Sequence, residues 1–375
     1  MQLAAIQAIN FRNLSGTITW GPQLNILYGH NGQGKTNWLE AIHVLARTKS
    51  FRTQRLQESI RFGEELAIIR GTVTAGAGLE RELQVNLHNA TKTISVNQKR
   101  ESLTRYLSQL QVFSFTRADL EVVRGMPEAR RKFLDRGIAS IKPSYLQVIA
   151  DYGKILKQKN KLLQLAVERE FSLDKVDDLL GPWNEQLIQQ AIRIHRERVE
   201  YVEGLNQSLE RQLFDRRLLT TRYLSFLEKH GDLDDYESLL RSRIGLRLQA
   251  ELAIGHALIG PHRDDLEILL DGREIRVYGS SGQQRSTLLL LDLAAISLYN
   301  LAVNEHPVFI IDDIDAELDE RRIRYLLEYL ENRTQTFITT SKRSHVEDFF
   351  SRANVYEIED GKVLSSQATT DVVSA

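Results

Sequence analysis

A chain of 375 residues, 42% hydrophobic and 26% charged, has ordinary globular composition and room for two domains or one domain with a large insertion. It contains no cysteine, which excludes disulfides, thiolate metal ligands and a cysteine nucleophile. A formal net charge of -1 excludes nucleic-acid binding through a bulk positive field, so any contact with phosphodiester must come from local patches.

From Met1 to about Phe115 the chain is rich in strand signals. Short apolar or alternating runs occur at Leu3 to Ile9, Leu24 to Tyr28, Ala67 to Thr74, Arg81 to His88, Thr93 to Val96 and Gln111 to Phe115. Gly76 and Gly78 punctuate a turn between two of them, which predicts an antiparallel meander. The N-terminus lacks the basic, apolar and cleavage-site pattern of a signal peptide, and a cytoplasmic chain is expected.

From about Pro143 to Phe226 the period becomes helical. Tyr145, Val148, Tyr152, Ile155, Lys159, Leu162 and Ala166 step by three and four. After Gly181-Pro182 a second series runs through Leu187, Ala191, Ile194, Arg198, Tyr201, Leu205 and Ser208. Each seam carries a charge, so the pattern predicts an antiparallel helical hairpin with attached helices, too short for a rod. Strands are expected again at Leu266 to Leu270, at Glu274 to Tyr278 after an Asp271-Gly272 turn, and at Val308 to Ile311. Two more follow at Phe337 to Thr339 and at Val355 to Ile358, the last before an Asp360-Gly361 turn. The polar tail from Ser365 is expected to fray. Leu288 to Val303, interrupted by Asp292 and Asn300, is too short to span a bilayer comfortably and reads as a buried helix.

Within this frame lies a split nucleotide site. Gly29-His30-Asn31-Gly32-Gln33-Gly34-Lys35-Thr36 matches the phosphate-binding pattern G-x-x-x-x-G-K-[ST] between a predicted strand and a helix through Trp38, Ile42 and Leu45. Glycines let successive backbone N–H groups face phosphate oxygens, and the helix N-terminus adds its positive end. Lys35 is expected to reach the β- and γ-phosphates of a nucleotide, and Thr36 to place a hydroxyl on Mg²⁺. Val308 to Ile311 ends in Asp312, a carboxylate placed for the same Mg²⁺, and Asp313 follows where a general base or water-orienting group is needed. Ser280-Ser281-Gly282-Gln283 precedes an apolar helix expected from about Arg285. Alone it reads as an ordinary helix cap; between the other two motifs, Ser280, Gly282 and Gln283 become a second anion site.

This order resembles the ABC-type ATPase heads of the SMC class. The resemblance is closer to the RecF recombination-mediator family. It rests on Ile9-Asn10-Phe11-Arg12-Asn13, the phosphate loop and the residues through Leu45, Ser50-Phe51-Arg52-Thr53, and Gly125 with Pro127. It continues through Arg130-Arg131-Lys132-Phe133-Leu134-Asp135, Gly260-Pro261-His262-Arg263-Asp264-Asp265, and Asp312-Asp313 with Ala316-Glu317-Leu318-Asp319. It runs from about residue 3 to residue 363 and is weakest in the helical stretch. The chain departs from the family at Thr116, where proline is common, and at Ser281, where a basic residue is more frequent. It also has Thr340-Ser341 where many ABC ATPases carry a histidine, and His345 lies too far along to take that place.

The resemblance implies an α/β fold: an ABC-type head, with P-loop core and antiparallel β-subdomain, from residues 1–140 and 245–375, and an inserted helical arm from 141–244. It implies ATP and Mg²⁺ as cofactors, with Lys35, Asp312 and Asp313 catalytic and Thr36 and Asp312 on the metal. It also implies an ATP-dependent head-to-tail homodimer in which Ser280 and Gln283 act in trans, and a slow, switch-like hydrolysis. The implied partners are gapped DNA and single-strand to double-strand junctions, with RecR and RecO, in loading RecA, and no membrane.

Basic clusters offered by the sequence are Arg47, Lys49, Arg52 and Arg55; Arg117, Arg124, Arg130, Arg131 and Lys132; and Lys154, Lys157, Lys159 and Lys161. Each can equally be a solvated face. Around Arg263-Asp264-Asp265 an internal ion pair is expected in preference to catalysis, and lone His262 lacks the company of a metal site. The alternative functions are an ABC transporter subunit, disfavoured by the helical insert, and the ATPase of a nuclease-linked DNA defence or repair complex.

Overall fold

The computed structural model describes residues 1–75, 78–89, 91–209 and 218–367. Contacts divide these into two compact units, residues 1–120 with 280–367 and residues 121–209 with 218–279. The division falls outside the boundaries expected at 140 and 245, because residues 121–140 and 245–279 are compact with the helices.

The first unit holds two sheets. One has the order Leu14–Thr19, Gln2–Phe11, Leu66–Ala75, Leu79–His88, Thr91–Val96, Lys99–Arg100, with every neighbour antiparallel. This is the expected meander with two further strands; of its expected turn, Gly78 has a positive φ of 75° and Gly76 lies outside the described residues. The other sheet has the order Lys362–Gln367, Ala353–Glu359, Leu24–Tyr28, Gln335–Thr340, Val308–Ile311, Val112–Phe115. All its pairings are parallel except that of the Lys362–Gln367 edge strand. Residues 365–367, expected to fray, therefore belong to a strand.

Strands covered on both faces read as unbroken apolar runs, and Val308, Phe309, Ile310 and Ile311 are all buried. Helix Lys35–Arg47 buries Trp38, Leu39, Ile42, Val44 and Leu45 in one core shared by the two sheets. Gln335 ties the sheets together: its amide accepts from Leu3 N–H at 2.7 Å and donates to the carbonyls of Leu3 and Gly21 at 2.9 and 2.8 Å. A buried amide with all these bonds fixes register where apolar contact alone would allow slippage.

Helix Ser281–Val303 begins four residues before its expected start. Its 23 residues are long and apolar enough to cross a bilayer, so length does not decide the matter. Burial does: Leu288, Leu289, Leu291, Leu293, Ile296 and Tyr299 lie inside the protein.

The second unit contains helices Pro127–Ile141, Tyr145–Glu168, Leu173–Leu209, Tyr236–Leu246 and Leu248–Ile254. Both seam charges are buried. Lys159 Nζ lies 2.8 Å from Glu251 with both side chains 0% exposed, and Arg198 pairs with Asp135. Three expectations are corrected. Leu173–Leu209 runs unbroken through Gly181-Pro182, with Val176, Leu180, Leu187 and Ile188 buried on either side. Packing of both flanks outweighs the single hydrogen bond that proline removes. Leu219–Leu224, read as helical, is a strand that pairs antiparallel with Asp265–Leu270. Glu274 to Tyr278 is a strand only at Arg273–Glu274, and Ile275–Tyr278 turns into a short helix.

Candidate nucleotide site

The loop between Leu24–Tyr28 and Lys35–Arg47 takes its shape from glycines in the left-handed half of φ space. Gly29, Gly32 and Gly34 have φ of 142°, 83° and 99°. A Cβ on Gly34 would lie 2.9 Å from Gly361 Cα and 3.0 Å from the Asn13 amide, so that position is closed by contact as well as by torsion. A Cβ on Gly32 would meet nothing within 4 Å, so at that position only the torsion calls for glycine. Gly34 caps the helix without any side-chain bond to its first turn. Lys35 folds over this loop, donating to the carbonyls of Gly29 and His30 at 2.7 and 2.8 Å. Burial lowers its pKa, and the carboxylates of Asp313, Asp312 and Asp315 oppose that shift.

Thr36 and Asp312, 276 residues apart, meet directly: the Thr36 hydroxyl donates to Asp312 Oδ1 at 2.8 Å. The Thr339 hydroxyl donates to the same oxygen at 2.8 Å and accepts from Asp313 N–H at 2.7 Å. Burial raises the Asp312 pKa, against the lowering effect of those two hydroxyls. Asp313 stands in the left-handed region, φ 55° and ψ 54°, at the start of Ile314–Glu317. Its carboxylate pairs with Arg117 at 3.2 Å, with the two side chains 39% and 72% exposed. Such a solvated pair orients more than it stabilises.

The residues are suited to a magnesium nucleotide. The glycine cradle, the helix N-terminus and the buried lysine match a chain of phosphates, and a hydroxyl beside a part-buried carboxylate matches a hard cation. The third motif stands apart in its bonding. Ser280 Oγ accepts from Gln283 N–H at 3.3 Å and Gln283 Oε1 accepts from Ser280 N–H at 2.8 Å, a complete capping box on Ser281–Val303. A Cβ on Gly282 would meet nothing within 4 Å.

Comparison with known proteins agrees with this geometry. The model of the RecF/RecN/SMC N terminal domain matches residues 2–363. DNA replication and repair protein RecF of Geotalea daltonii is 36% identical over 97% of this chain and 100% of its own length. RecF of Staphylococcus epidermidis is likewise 36% identical, with the same coverage. This chain belongs to the RecF family. A solved structure of the recombination mediator protein RecF with ATP, in the RecFOR pathway, superposes with a TM-score of 0.88 at 32% identity, over 98% of each chain. The Smc head of Pyrococcus furiosus, at 14% identity, has a TM-score of 0.58 over 98% of this chain and 96% of that one, a likeness of fold. The RecF-family chain thus has the expected ABC-type ATPase head.

Two of the runs that carried the resemblance are tied to the phosphate-loop helix. Glu40, buried on the phosphate-loop helix, accepts from Arg12 Nε and Nη2 at 3.1 and 2.8 Å and from the Ser50 hydroxyl at 2.6 Å. Asn13 accepts from the Asn37 amide at 2.7 Å, and Arg52 donates to Asn37 at 2.5 Å. The Asn10-to-Asn13 and Ser50-to-Thr53 runs therefore hold that helix through the same two residues, Asn37 and Glu40.

In the second unit, Gly260 to Asp265 forms a hub. The expected ion pair is present, but Asp265 makes it with Arg130, whose Nε and Nη2 donate at 2.6 and 2.9 Å, and not with Arg263. Asp264 accepts from the Tyr223 hydroxyl and, at 2.8 Å, from Phe226 N–H. Arg131 donates to Asp264 O at 2.7 Å. His262 Nδ1 lies 2.6 Å from the Tyr152 hydroxyl and Nε2 lies 3.3 Å from Ala257 O. A carbonyl only accepts, so Nε2 carries the proton and Nδ1 accepts from Tyr152. Burial pushes the His262 pKa down to about 4, with the Ala257 bond opposing.

Between that value and the ordinary 6.5 the unfolded chain binds the proton and the folded chain does not. Stability therefore rises with pH across this window and falls on acidification, by up to roughly 3 kcal/mol from this group. In denaturant titrations at pH 6.5 and 4, the native chain is expected to lose more stability than His262→Gln. Equal losses would remove the histidine from the account.

Of the basic clusters, Arg130 and Lys159 are buried in ion pairs and cannot reach a DNA phosphate. Arg47 donates to Val112 O at 3.1 Å. Lys132 pairs with Glu128 and Arg124 with Glu121. Lys49, Arg55, Lys157 and Lys161 are exposed, as is Lys154 beside Asp151. Sequence reading missed Arg117 as partner of Asp313, and Thr339 as partner of Asp312. Neither had a local signal, since the partners lie 196 and 27 residues away.

Proposed function

We propose that this chain is an ATP-switched, DNA-binding recombination mediator. It recognises single-strand gaps and junctions between single and double strands and helps load recombinase in repair and replication restart. The hydrogen bond from Thr36 to Asp312 carries the ATPase reading, because it unites the phosphate loop with the carboxylate strand across 276 residues. Family membership supports the DNA reading, together with RecR- and RecO-type partners, an SOS-response context, single-stranded DNA binding and a cytoplasmic location.

In this reading Gly29, His30, Asn31, Gly32, Gln33 and Gly34 offer backbone groups to the phosphates, and Lys35 exchanges its loop carbonyls for phosphate oxygens. Thr36 and Asp312 would hold Mg²⁺, which supplies positive charge to the β- and γ-phosphate oxygens. Asp313 orients the attacking water. Its short side chain and its bond to Arg117 fit slow turnover, suited to a switch. Ser280, Gly282 and Gln283 face the nucleotide of a second copy. Ser280 Oγ accepts within the cap and still has its own proton to donate to a phosphate oxygen. ATP then joins two copies and hydrolysis parts them.

Light scattering tests this. With Mg-ATP the native chain is expected to dimerise, more so with gapped duplex, and to be monomeric with ADP or alone. Ser280→Arg is expected to bind ATP and remain monomeric. A monomer under every condition, with ATP bound, rejects the switch.

A further inference from the structure

Many ABC ATPases carry a histidine after the strand that here ends in Thr339-Thr340, and the hydroxyls at this place have no role in the function proposed above. Strand Gln335–Thr340 lies between the phosphate-loop strand and the carboxylate strand, pairing Thr339 with Leu27 on one side and Ile338 with Ile311 on the other. Thr339 is therefore level with Asp312. Thr339 is 1% exposed, and its hydroxyl donates to Asp312 Oδ1 and accepts from Asp313 N–H, so one oxygen touches both residues. Thr340 continues the clip. Its hydroxyl donates to Asp315 at 2.6 Å, and Asp315 also accepts from Ser341 N–H and Lys342 N–H at 2.7 and 3.1 Å. The turn Asp312 to Asp315 is thus fastened at both ends to one strand.

Asp313, whose own N–H is one of these fastened groups, has a left-handed conformation, φ 55°, which an aspartate tolerates better than most residues and which the bond to Thr339 holds in place. A residue kept there by its surroundings aims its side chain in one direction. We infer that Thr339 is a positioning residue for ATP hydrolysis, acting through Asp312 and Asp313 by holding the Asp313 backbone and thereby the direction of its carboxylate. The single hydroxyl serves both acidic residues: the metal carboxylate through its proton, and the water-orienting residue through its lone pair. The phosphates are held by the glycine loop and Lys35, and Mg²⁺ would keep Thr36 and the Asp312 carboxylate itself, so nucleotide binding does not require the Thr339 hydroxyl.

This inference rests on the ATPase reading above. The test compares Thr339→Val, which keeps the shape and removes the hydroxyl, with Thr339→Ser, which keeps the hydroxyl, in the full chain with Mg-ATP. Thr339→Ala, which removes the same hydroxyl at smaller volume, is read identically and serves if the valine variant does not fold. The hydroxyl-free variant is expected to lose about 100-fold in kcat with KM and ATP affinity unchanged, while serine restores the native rate. Native turnover without the hydroxyl overturns the inference. So does a serine variant as slow as valine, or a parallel loss of ATP affinity, which would mark a merely structural contact. A native chain with no Mg-ATP turnover would instead remove the ATPase reading itself, and this role with it.

Discussion

Lys35→Met is expected to abolish saturable ATP binding and to lower turnover by roughly 100- to 1000-fold, while the nucleotide-free fold survives. The ammonium is the positive charge that the structure places against the phosphate loop, 2.7 and 2.8 Å from the carbonyls of Gly29 and His30. Around it stand three carboxylates, those of Asp313, Asp312 and Asp315. Removing the lysine leaves that acidic group facing a ligand that is itself strongly anionic, so repulsion replaces attraction. Methionine matches the length of the lysine stem, and the glycine torsions that shape the loop do not depend on it. Calorimetric titration and thermal melts with Mg-ATP check the expectation. Native protein should melt higher with ATP, by mass action on the folded state, and the variant should not shift. A variant that binds ATP with native affinity would show that the loop carries the phosphates unaided.

Arg198→Met is expected to destabilise the second unit by about 3 to 5 kcal/mol. Arg198, 4% exposed, donates through Nε and Nη2 to both oxygens of Asp135 at 3.0 Å each, and through Nη1 to Pro261 O at 2.8 Å. Asp135 also accepts from the Tyr145 hydroxyl at 2.8 Å. Losing the guanidinium strands the carboxylate and an acceptor of the Gly260-to-Asp265 hub together. Pairing the change with Asp135→Leu should recover part of the loss, since two apolar groups can replace a buried ion pair at little net cost. Urea unfolding, with hydrogen exchange read over residues 127–209, measures both. If the single variant loses less than about 1 kcal/mol, the pair is solvated and the hub is not the brace of this unit.

The chemistry of the site was legible because it is written in contiguous runs. Eight residues from Gly29 to Thr36 contain their own torsional reason, and an apolar strand ending in an acid needs only its own pattern. The helical seams were legible too, and so were their faults. Lys159 and Arg198 broke the apolar spacing, but only the fold supplied Glu251 and Asp135 as their partners. Strand Leu219–Leu224 was misread because its alternation of Leu219, Thr221 and Tyr223 is brief and follows a long helical register. Pro182 was misread because its local penalty is fixed while the burial on either side of it is a property of the tertiary fold.

By itself the sequence determined the phosphate loop, the acidic strand that accompanies it, the absence of thiol chemistry and the kinship of the chain. Sheet order decided the rest. Only with Gln335–Thr340 inserted between the loop strand and the acidic strand does Thr339 come level with Asp312, and Thr36 within 2.8 Å of that same carboxylate. The physical reason is one of range. Backbone torsions and apolar period are set within a few residues, whereas a hydrogen bond between strand ends depends on which strands are neighbours and in what register, and no local run of residues encodes that.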